Sequence, residues 1–120
     1  MIREIKFRAK CARTGEWKYG FLSNHSTLTI NSVRLKIDQS TIGEYTGLKD
    51  KNGKEIYEGD ILENKEHSFK FKIQWGIENE SYAGWAGNWL NKDFISPLYN
   101  KPLENCEVIG NIHQHKKILK

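Results

Sequence analysis

The segment at 45–62, YTGLKDKNGKEIYEGDIL, constrains the fold more strongly than any other part of the chain, because it holds two tight-turn signals. Asn52-Gly53 is a strong hairpin signal, since a two-residue type I′ turn needs positive φ at both central positions and Asn and Gly tolerate it best. The tripeptide EGD at 58–60 predicts a second turn, and a strand at 61–62 follows at once. The segment therefore predicts a hairpin, a turn and a strand, which is architecture and not catalytic chemistry.

Much of the remaining chain alternates between apolar and polar residues, which is the period of a half-buried strand. In EIKFRA at 4–9 the alternation places Arg8 on the charged face. The turn signal TG at 14–15 joins this strand to WKYGF at 17–21 as a hairpin, and the three rings of WKYGF share one face. Further strands are predicted at 28–30, 33–37, 68–75 and 107–113.

Two segments give weaker patterns. SYAGWAGNWL at 81–90 contains two glycines that argue against a stable helix, so it is either a bulged strand or a short turn of helix. Both prolines of the chain lie in 91–105, which predicts a surface connection with one helical turn near Phe94. Within the last strand, Gly110 predicts a bulge or the close approach of a neighbouring segment.

Three blocks of sequence carry a resemblance to a known family. EIKFRA at 4–9, YTGLKDKNGKEIYEGDI at 45–61 and CEVIGNI at 106–112 resemble, in this order, the YopX family of small phage and prophage proteins. The resemblance implies a phage context, and it implies no biochemical activity and no catalytic or binding residues. The motif residues to which we assign structural roles are Tyr45, Gly47, Asp50, Asn52, Gly53, Tyr57, Gly59, Asp60, Gly110 and Asn111.

Length and composition predict a single soluble domain, 1–120. A mass of 14.0 kDa and a hydrophobic fraction of 38% suffice for a core without disulfides or metal. No apolar signal region or membrane-length run occurs, so we expect a cytoplasmic protein without a membrane partner. Cys11 and Cys106 lie far apart and are expected to be free thiols. The net charge of +4 permits weak attraction to nucleic acid but is far below the dense basic clustering typical of nucleic-acid-binding proteins.

Two metal-site hypotheses fail on ligand number and spacing. Asp50 opens a segment that partly matches a calcium-binding loop, but position six lacks the required Gly and position twelve is Ile61, where a bidentate Glu is needed. His113 and His115 would lie on one side of a strand near Cys106, yet a closed zinc site needs four ligands. The sequence therefore predicts neither a metal nor a cofactor.

Asp60 follows a glycine at the start of a strand, where it could act as an isolated general base. An aspartate in this position more often accepts hydrogen bonds from backbone N–H groups and stabilises the turn. No Ser-His-Asp or Cys-His constellation can be assembled from the spacings. We therefore expect no catalytic residues and no enzymatic activity, with a small hydrolase or metal enzyme as a further alternative.

The aromatic side chains allow two interpretations. Beside Lys18, Lys70 and Lys72 they could form a platform on which nucleic-acid bases stack. Alternation instead turns the rings of the strand at 68–75 inward and its lysines outward, so rings and charges would occupy opposite faces. We therefore favour a place in the core or in a subunit interface. The side chains concerned are Trp17, Tyr19, Trp75, Trp85 and Trp89.

Together these patterns predict a mainly β domain, with N-terminal hairpins packed on a small, bent, SH3-like barrel or sheet formed by 59–112. We expect a phage- or prophage-derived accessory protein that acts by self-association or by binding a host or phage macromolecule. Fourteen aromatic residues and several strand edges favour a homo-oligomer. The alternative is a weak, sequence-indifferent nucleic-acid-binding module.

Overall fold

The computed structural model describes residues 6–24, 27–30, 33–66, 68–77, 82–90, 95–97, 103 and 105–113. The fold is mainly β, which confirms the predicted class, and a short 3₁₀ helix lies at Gln39–Thr41. The strands, in chain order, are β1 (Phe7–Lys10), β2 (Trp17–Asn24), β3 (Thr27–Ile30), β4 (Val33–Lys36), β5 (Gly43–Lys49), β6 (Glu55–Tyr57), β7 (Asp60–Asn64), β8 (Phe69–Ile77), β9 (Tyr82–Trp89), β10 (Ile95–Pro97) and β11 (Cys106–Asn111).

The chain divides into two compact units, Met1–Gly47 and Leu48–Lys120. Strand β5 contributes to both, because the division falls inside it. Its first residues pair with β1 in the first unit, and β6 is its neighbour on the other side. Two compact units of one chain can still unfold together, so the single domain 1–120 stays a prediction.

In the first unit, β1 to β4 form successive antiparallel pairs, which confirms the predicted hairpins; the turn at 31–32 lies outside the described residues. A bridge between Cys11 and Ile37 returns the chain after β4 to the end of β1, so the sheet curls on itself. One face of the curled sheet is apolar and closes over a small core. The buried members are Ala9, Leu28 and Ile37, and the partly buried ones are Phe7, Leu22, Ile30 and Ile42.

In the second unit, β7, β8 and β9 form a meander, and β11 returns to pair with the outer side of β7. The resulting antiparallel sheet has the strand order β10-β9-β8-β7-β11. Side chains on the inward face of these strands pack against one another and form the larger core. Its buried members are Ile56, Leu62, Phe71, Ile73, Trp85, Leu103 and Cys106.

The described strands of this second unit form an open sheet. They contain no closed barrel, so the sheet form of our prediction holds and the barrel form does not. A closed barrel would require the two edge strands to pair, whereas β10 and β11 stand at opposite ends of the strand order. The SH3-like character and the packing of the N-terminal hairpins on this sheet stay predictions.

Two uncertain segments are resolved by strand pairing. The segment at 81–90 contains β9, so the strand interpretation is confirmed and the helical one is wrong. Pro97, predicted to lie in a surface connection, ends the edge strand β10 beside β9, where a missing N–H can face away from the sheet. The helical turn was predicted at 92–95; Ile95 instead begins β10, and 92–94 lie outside the described residues.

The predicted type I′ turn at Asn52-Gly53 is wrong, although the hairpin is present between β5 and β6. Gly53 has φ +79°, but Asn52 has negative φ. The Gly53 N–H donates to the Asp50 carbonyl at 3.0 Å, and the Asp50 N–H donates to the Lys54 carbonyl at 2.9 Å. These bonds define a three-residue loop, Lys51 to Gly53, in which only the last residue needs the left-handed region.

Substitution Gly53→Val should lower the free energy of unfolding by about 1–2 kcal/mol, because it places a β-branched residue in the left-handed region. A Cβ at Gly53 meets nothing within 4 Å, so the loss comes from the backbone alone. Thermal melts should show it, and Gly53→Asn, which tolerates positive φ, is the matched control. Indistinguishable melts for Gly53→Val and wild type would contradict this account of the loop.

Candidate functional site

The carboxylate of Asp50 connects the β5–β6 loop to β11. One oxygen, Oδ1, accepts hydrogen bonds from the N–H groups of Asn52 at 2.8 Å and Lys54 at 2.9 Å. The other, Oδ2, accepts from the N–H of Val108 at 3.0 Å. Three N–H donors from two distant segments therefore converge on one buried side chain, and this explains why the loop carries an aspartate at this position.

Burial and hydrogen bonding act on the Asp50 carboxylate in opposite directions. Burial raises its pKa, but the N–H donors of Val108, Lys54 and Asn52 and the charge of Lys54 outweigh burial, so its pKa is lowered. A calcium ion would need the same oxygens, which already accept backbone hydrogen bonds. The contacts therefore support the turn interpretation of this segment.

Further contacts hold the same loop against β11. The Lys51 N–H donates to the Cys106 carbonyl at 3.0 Å, and the Lys51 Nζ lies 3.7 Å from the Glu107 carboxylate. Asn52 also reaches Glu107, with Nδ2 at 3.4 Å from Oε2. The second and third blocks of the family motif thus bind each other through backbone and side-chain hydrogen bonds.

The second turn of the motif lies at Tyr57 to Asp60. Gly59 has φ +90°, and the Asp60 carboxylate accepts the Tyr57 N–H at 2.8 Å. Asp60 is 1% exposed, and Asn111 lies directly opposite it on β11. The Gly59 carbonyl accepts the Ile112 N–H at 2.9 Å. The hydrogen bond from Tyr57 agrees with the turn-stabilising role predicted for Asp60.

The first block of the motif pairs with the start of β5. Phe7 lies opposite Glu44, and the Tyr45 N–H donates to the Lys6 carbonyl at 2.8 Å. The Tyr45 ring is buried, with the Lys6 Nζ 5.2 Å from its centre. Gly47, further along β5, has φ +85°. Each block therefore has a partner block in its own unit, so the motif specifies chain pairing.

The bulge predicted at Gly110 is confirmed. Val108 lies opposite Leu62, and Gly110 lies opposite Ile61, so Ile109 is an extra residue in β11. Asn111, the next motif residue, uses its side-chain oxygen to accept the His113 N–H at 3.0 Å. These features shape the end of the sheet and bring no reactive groups together.

The metal hypothesis finds no support in the described residues. They contain no group of three His, Cys, Asp or Glu side chains that could hold an ion, and His115 lies outside them. Cys106 is a buried free thiol, and its pKa is raised. Burial raises this pKa by more than the hydrogen bond to Asn64 and the charge of Lys51 lower it. A neutral buried thiol is a poor nucleophile and a poor metal ligand.

The core interpretation of the aromatic side chains holds for some and fails for others. Trp85 is buried, and the Trp89 ring stacks on Phe69 at 4.1 Å, so both belong to the core of the second unit. Tyr19 and Trp75, by contrast, are 48% and 55% exposed. Trp75 lies opposite Trp85 in the register of β8 and β9, and its ring contacts that of Trp85 at 5.0 Å between centres, but more than half of it is open to solvent.

The outward face of the first unit combines rings and charges. Ala9 lies in the core and is paired with Lys18 on β2, and paired residues of neighbouring strands face the same side of a sheet. The residues before and after Lys18 on β2 therefore point away from the core. Phe21 is 65% exposed and lies opposite Thr29, which in turn lies opposite Arg34 on β4. We call this surface the aromatic–cationic face. It is formed by Arg8, Lys10, Trp17, Tyr19, Phe21 and Arg34.

Arg8 belongs to this face and yet is buried, contrary to its assignment to an exposed charged face. Its guanidinium carbon lies 4.7 Å from the centre of the Trp17 ring, and the Lys10 Nζ lies 5.7 Å from the same ring. Both distances allow cation–π attraction. Sequence alternation did not predict this arrangement, because it shows which rings share a face but not whether that face is buried or exposed. The register of the β1–β2 hairpin around Ala9 was the signal that could have assigned the rings to the exposed face.

An open depression lies where the β1–β2 turn meets β4. Its volume is 640 Å³, and its lining includes Cys11, Arg13, Glu16, Lys18, Arg34 and Lys36. Hydrogen bonds from the Thr14 and Arg13 N–H groups and from the Thr14 side chain, with the charge of Lys18, lower the pKa of the Cys11 thiol, and burial opposes them only weakly. Because its lining contains four cationic side chains and one carboxylate, the depression is a positively charged part of the surface.

A family model described as "YopX protein" matches residues 6–120 of the chain. The chain belongs to the YopX family. Comparison with curated proteins gave no match. A solved structure with a similar fold is that of protein EF1440 from Enterococcus faecalis, with 22% identity, a TM-score of 0.62, and coverage of 99% of this chain and 100% of that one.

The motif that carries the likeness to the YopX family thus has a structural explanation in this chain, since its residues bind one another across turns and strand pairs. The three rings of the aromatic–cationic face lie on β2, between the first and second motif blocks in sequence, whereas Arg8 belongs to the first block. Within the described residues, the structure contains no helix with the length and apolar character needed to cross a membrane.

Proposed function

We propose that this YopX-family chain is a phage- or prophage-derived accessory protein of the host cytoplasm that binds a macromolecule without enzymatic activity. The observation that carries the proposal is the aromatic–cationic face, where Phe21 is 65% exposed and Arg34 lies two strands away in the same row. Large exposed rings cost free energy in water and usually mark a binding surface. The phage context comes from the family resemblance.

The chemistry of the motif supports a non-enzymatic role. The carboxylates of Asp50 and Asp60 accept backbone hydrogen bonds inside turns, and Cys106 is buried. In the part of the chain that the structure describes, no three His, Cys, Asp or Glu side chains form a group that could hold a metal ion. Binding is therefore the function class that these residues favour.

Site-specific photo-crosslinking in the bacterial host tests the proposal. p-Benzoylphenylalanine at position 21 should give a discrete adduct, whereas at position 75 it should not, because Trp75 is also exposed, at 55% against 65%, but lies outside the face. The adduct should disappear when Arg34→Glu reverses a charge in the same row as Phe21. Equal adducts at both positions, or no adduct at position 21, would rule out binding through this face.

Self-association is the second candidate, and four exposed large apolar side chains favour it: Tyr19, Phe21, Val33 and Trp75. We expect light scattering at micromolar concentration to give a particle larger than the 14.0 kDa chain, because such side chains and open sheet edges favour pairing. Phe21→Ser and Trp75→Ser would locate the interface in one unit or the other. A 14.0 kDa particle at micromolar and higher concentrations would exclude the oligomer.

A further inference from the structure

We propose that the aromatic–cationic face binds single-stranded nucleic acid, with bases on the rings of Tyr19 and Phe21 and phosphates on the surrounding cations. This inference rests on the proposed function, since it names the macromolecule that the face binds. Proteins that bind single strands combine exposed rings, on which bases stack, with a positively charged path for the backbone. The first unit contains both on one surface.

The ring spacing favours an extended strand. Tyr19 and Phe21 are two positions apart on β2 and therefore lie about 6.8 Å apart along the strand. Successive bases in one strand of a duplex rise by only about 3.4 Å. Two neighbouring bases can reach both rings only when they unstack, and this is possible in a single strand and costly in a duplex.

Trp17 has a different role on the same face. The Arg8 guanidinium and the Lys10 ammonium lie over its ring at 4.7 Å and 5.7 Å. Arg8 is 5% exposed and packs against the ring, so Lys10 is the cation that this contact orients beside the two exposed rings. Ordered cations lose less conformational entropy when they bind a phosphate.

The depression continues the positive surface at the edge of the face. Lys18 has a carboxylate partner, with Nζ 3.2 Å from Glu16. With the residues that the structure describes, Arg13, Arg34 and Lys36 form no ion pair. The depression has one carboxylate in its lining, that of Glu16, which pairs with Lys18. Arg13, Arg34 and Lys36 therefore leave it with a net positive charge that would attract an anionic backbone. Arg34 belongs to both the depression and the face, so it links the phosphate path to the stacking rings.

Fluorescence anisotropy with oligothymidylate about 12 nucleotides long, a length within the range that one small domain covers, tests the inference. Phe21→Ala should weaken binding about 5- to 100-fold, which is the loss of one stacked base. Phe21→Tyr keeps a stacking ring and should bind within about twofold of wild type. Trp75→Ala removes another exposed ring, 55% exposed, from the other unit and should have no effect. A duplex of the same length should bind more weakly than the single strand.

A salt series tests the contribution of the cations. Four phosphate contacts on a single strand should give a slope of log affinity against log salt of roughly −3. The double variant Arg34→Gln with Lys36→Gln should make that slope shallower by about 1.4, because each lost contact removes about 0.7. Phe21→Ala should leave the slope unchanged, since a ring releases no counterions.

Three results would overturn the inference: Phe21→Ala binding like wild type, Trp75→Ala weakening binding as much as Phe21→Ala, or a duplex binding as tightly as the single strand. The crosslinked adduct separates this failure from that of the proposed function. A nuclease-resistant adduct at position 21, together with no oligothymidylate binding, would exclude nucleic acid and retain macromolecular binding through the face. Absence of both would remove both proposals.

Discussion

Substitution Asp50→Ala is expected to lower the free energy of unfolding by about 3 kcal/mol, because it leaves three backbone N–H groups without their acceptor. The donors belong to Asn52, Lys54 and Val108, so the loop and β11 lose a shared partner at once. Urea denaturation followed by tryptophan fluorescence should report the loss, since Trp85 lies in the core of the same unit.

Two variants calibrate this result. Asn52→Ala removes only a long, exposed hydrogen bond to Glu107 and should cost less than about 0.5 kcal/mol. Asp50→Asn keeps a side-chain oxygen but loses the charge, so its stability should lie between those of Asp50→Ala and wild type. If Asp50→Ala were no less stable than Asn52→Ala, the carboxylate would not hold the loop to β11.

The pH dependence of stability should follow from the same carboxylate. The pKa of Asp50 in the folded chain lies below its ordinary value of 3.8, so its stabilising contribution is complete above pH 3.8 and is lost as the pH falls through the lower folded value. The stability difference between wild type and Asp50→Asn should therefore shrink on acidification below pH 3.8. A difference that stayed constant down to pH 2, about two units lower, would contradict this assignment.

Substitution Gly20→Ala is also expected to have a large effect, of about 3 kcal/mol. A Cβ at this position would overlap the carbonyl oxygen of Thr29 and lie 2.9 Å from Cγ1 of Ile30. The first obstacle is backbone, so β2 and β3 must separate to admit a methyl group. Thermal melts of the purified variant, with Trp17 fluorescence as a local signal, measure the loss.

The matched control is Gly53→Ala, whose Cβ meets nothing within 4 Å and whose cost comes only from positive φ. We expect it to lose about 1 kcal/mol. Equal losses for the two variants would show that the close approach of β2 and β3 has no energetic consequence.

Local sequence rules predicted most of the strand pairs but not the details that depend on distant residues. Asn52-Gly53 located the hairpin, yet the turn type follows from Asp50, whose carboxylate binds the loop N–H groups and also Val108, fifty-eight positions later. Gly110 could be interpreted from its own position, because a glycine inside a strand points to a bulge.

The aromatic–cationic face shows the same limit. Alternation correctly grouped the rings of β2, but their exposure depends on which row of β1 lies in the core, and this follows from the register between the two strands. Trp75 keeps the row that alternation predicts, opposite Trp85, yet it is 55% exposed, and a period-two pattern does not show how far along a strand the core extends. Period-two patterns give rows, and pairing between strands assigns each row to core or solvent.

The return of β11 to β7 has a consequence for the nascent chain. On the ribosome, β7, β8 and β9 can pair in the order in which they emerge, because each is followed by its neighbour. The outer edge of β7 and the Oδ2 of Asp50 then lack the partners that residues 106–111 supply in the folded chain. During that interval the growing sheet presents an open edge to other chains, and this hazard of aggregation at β7 ends when β11 pairs with it.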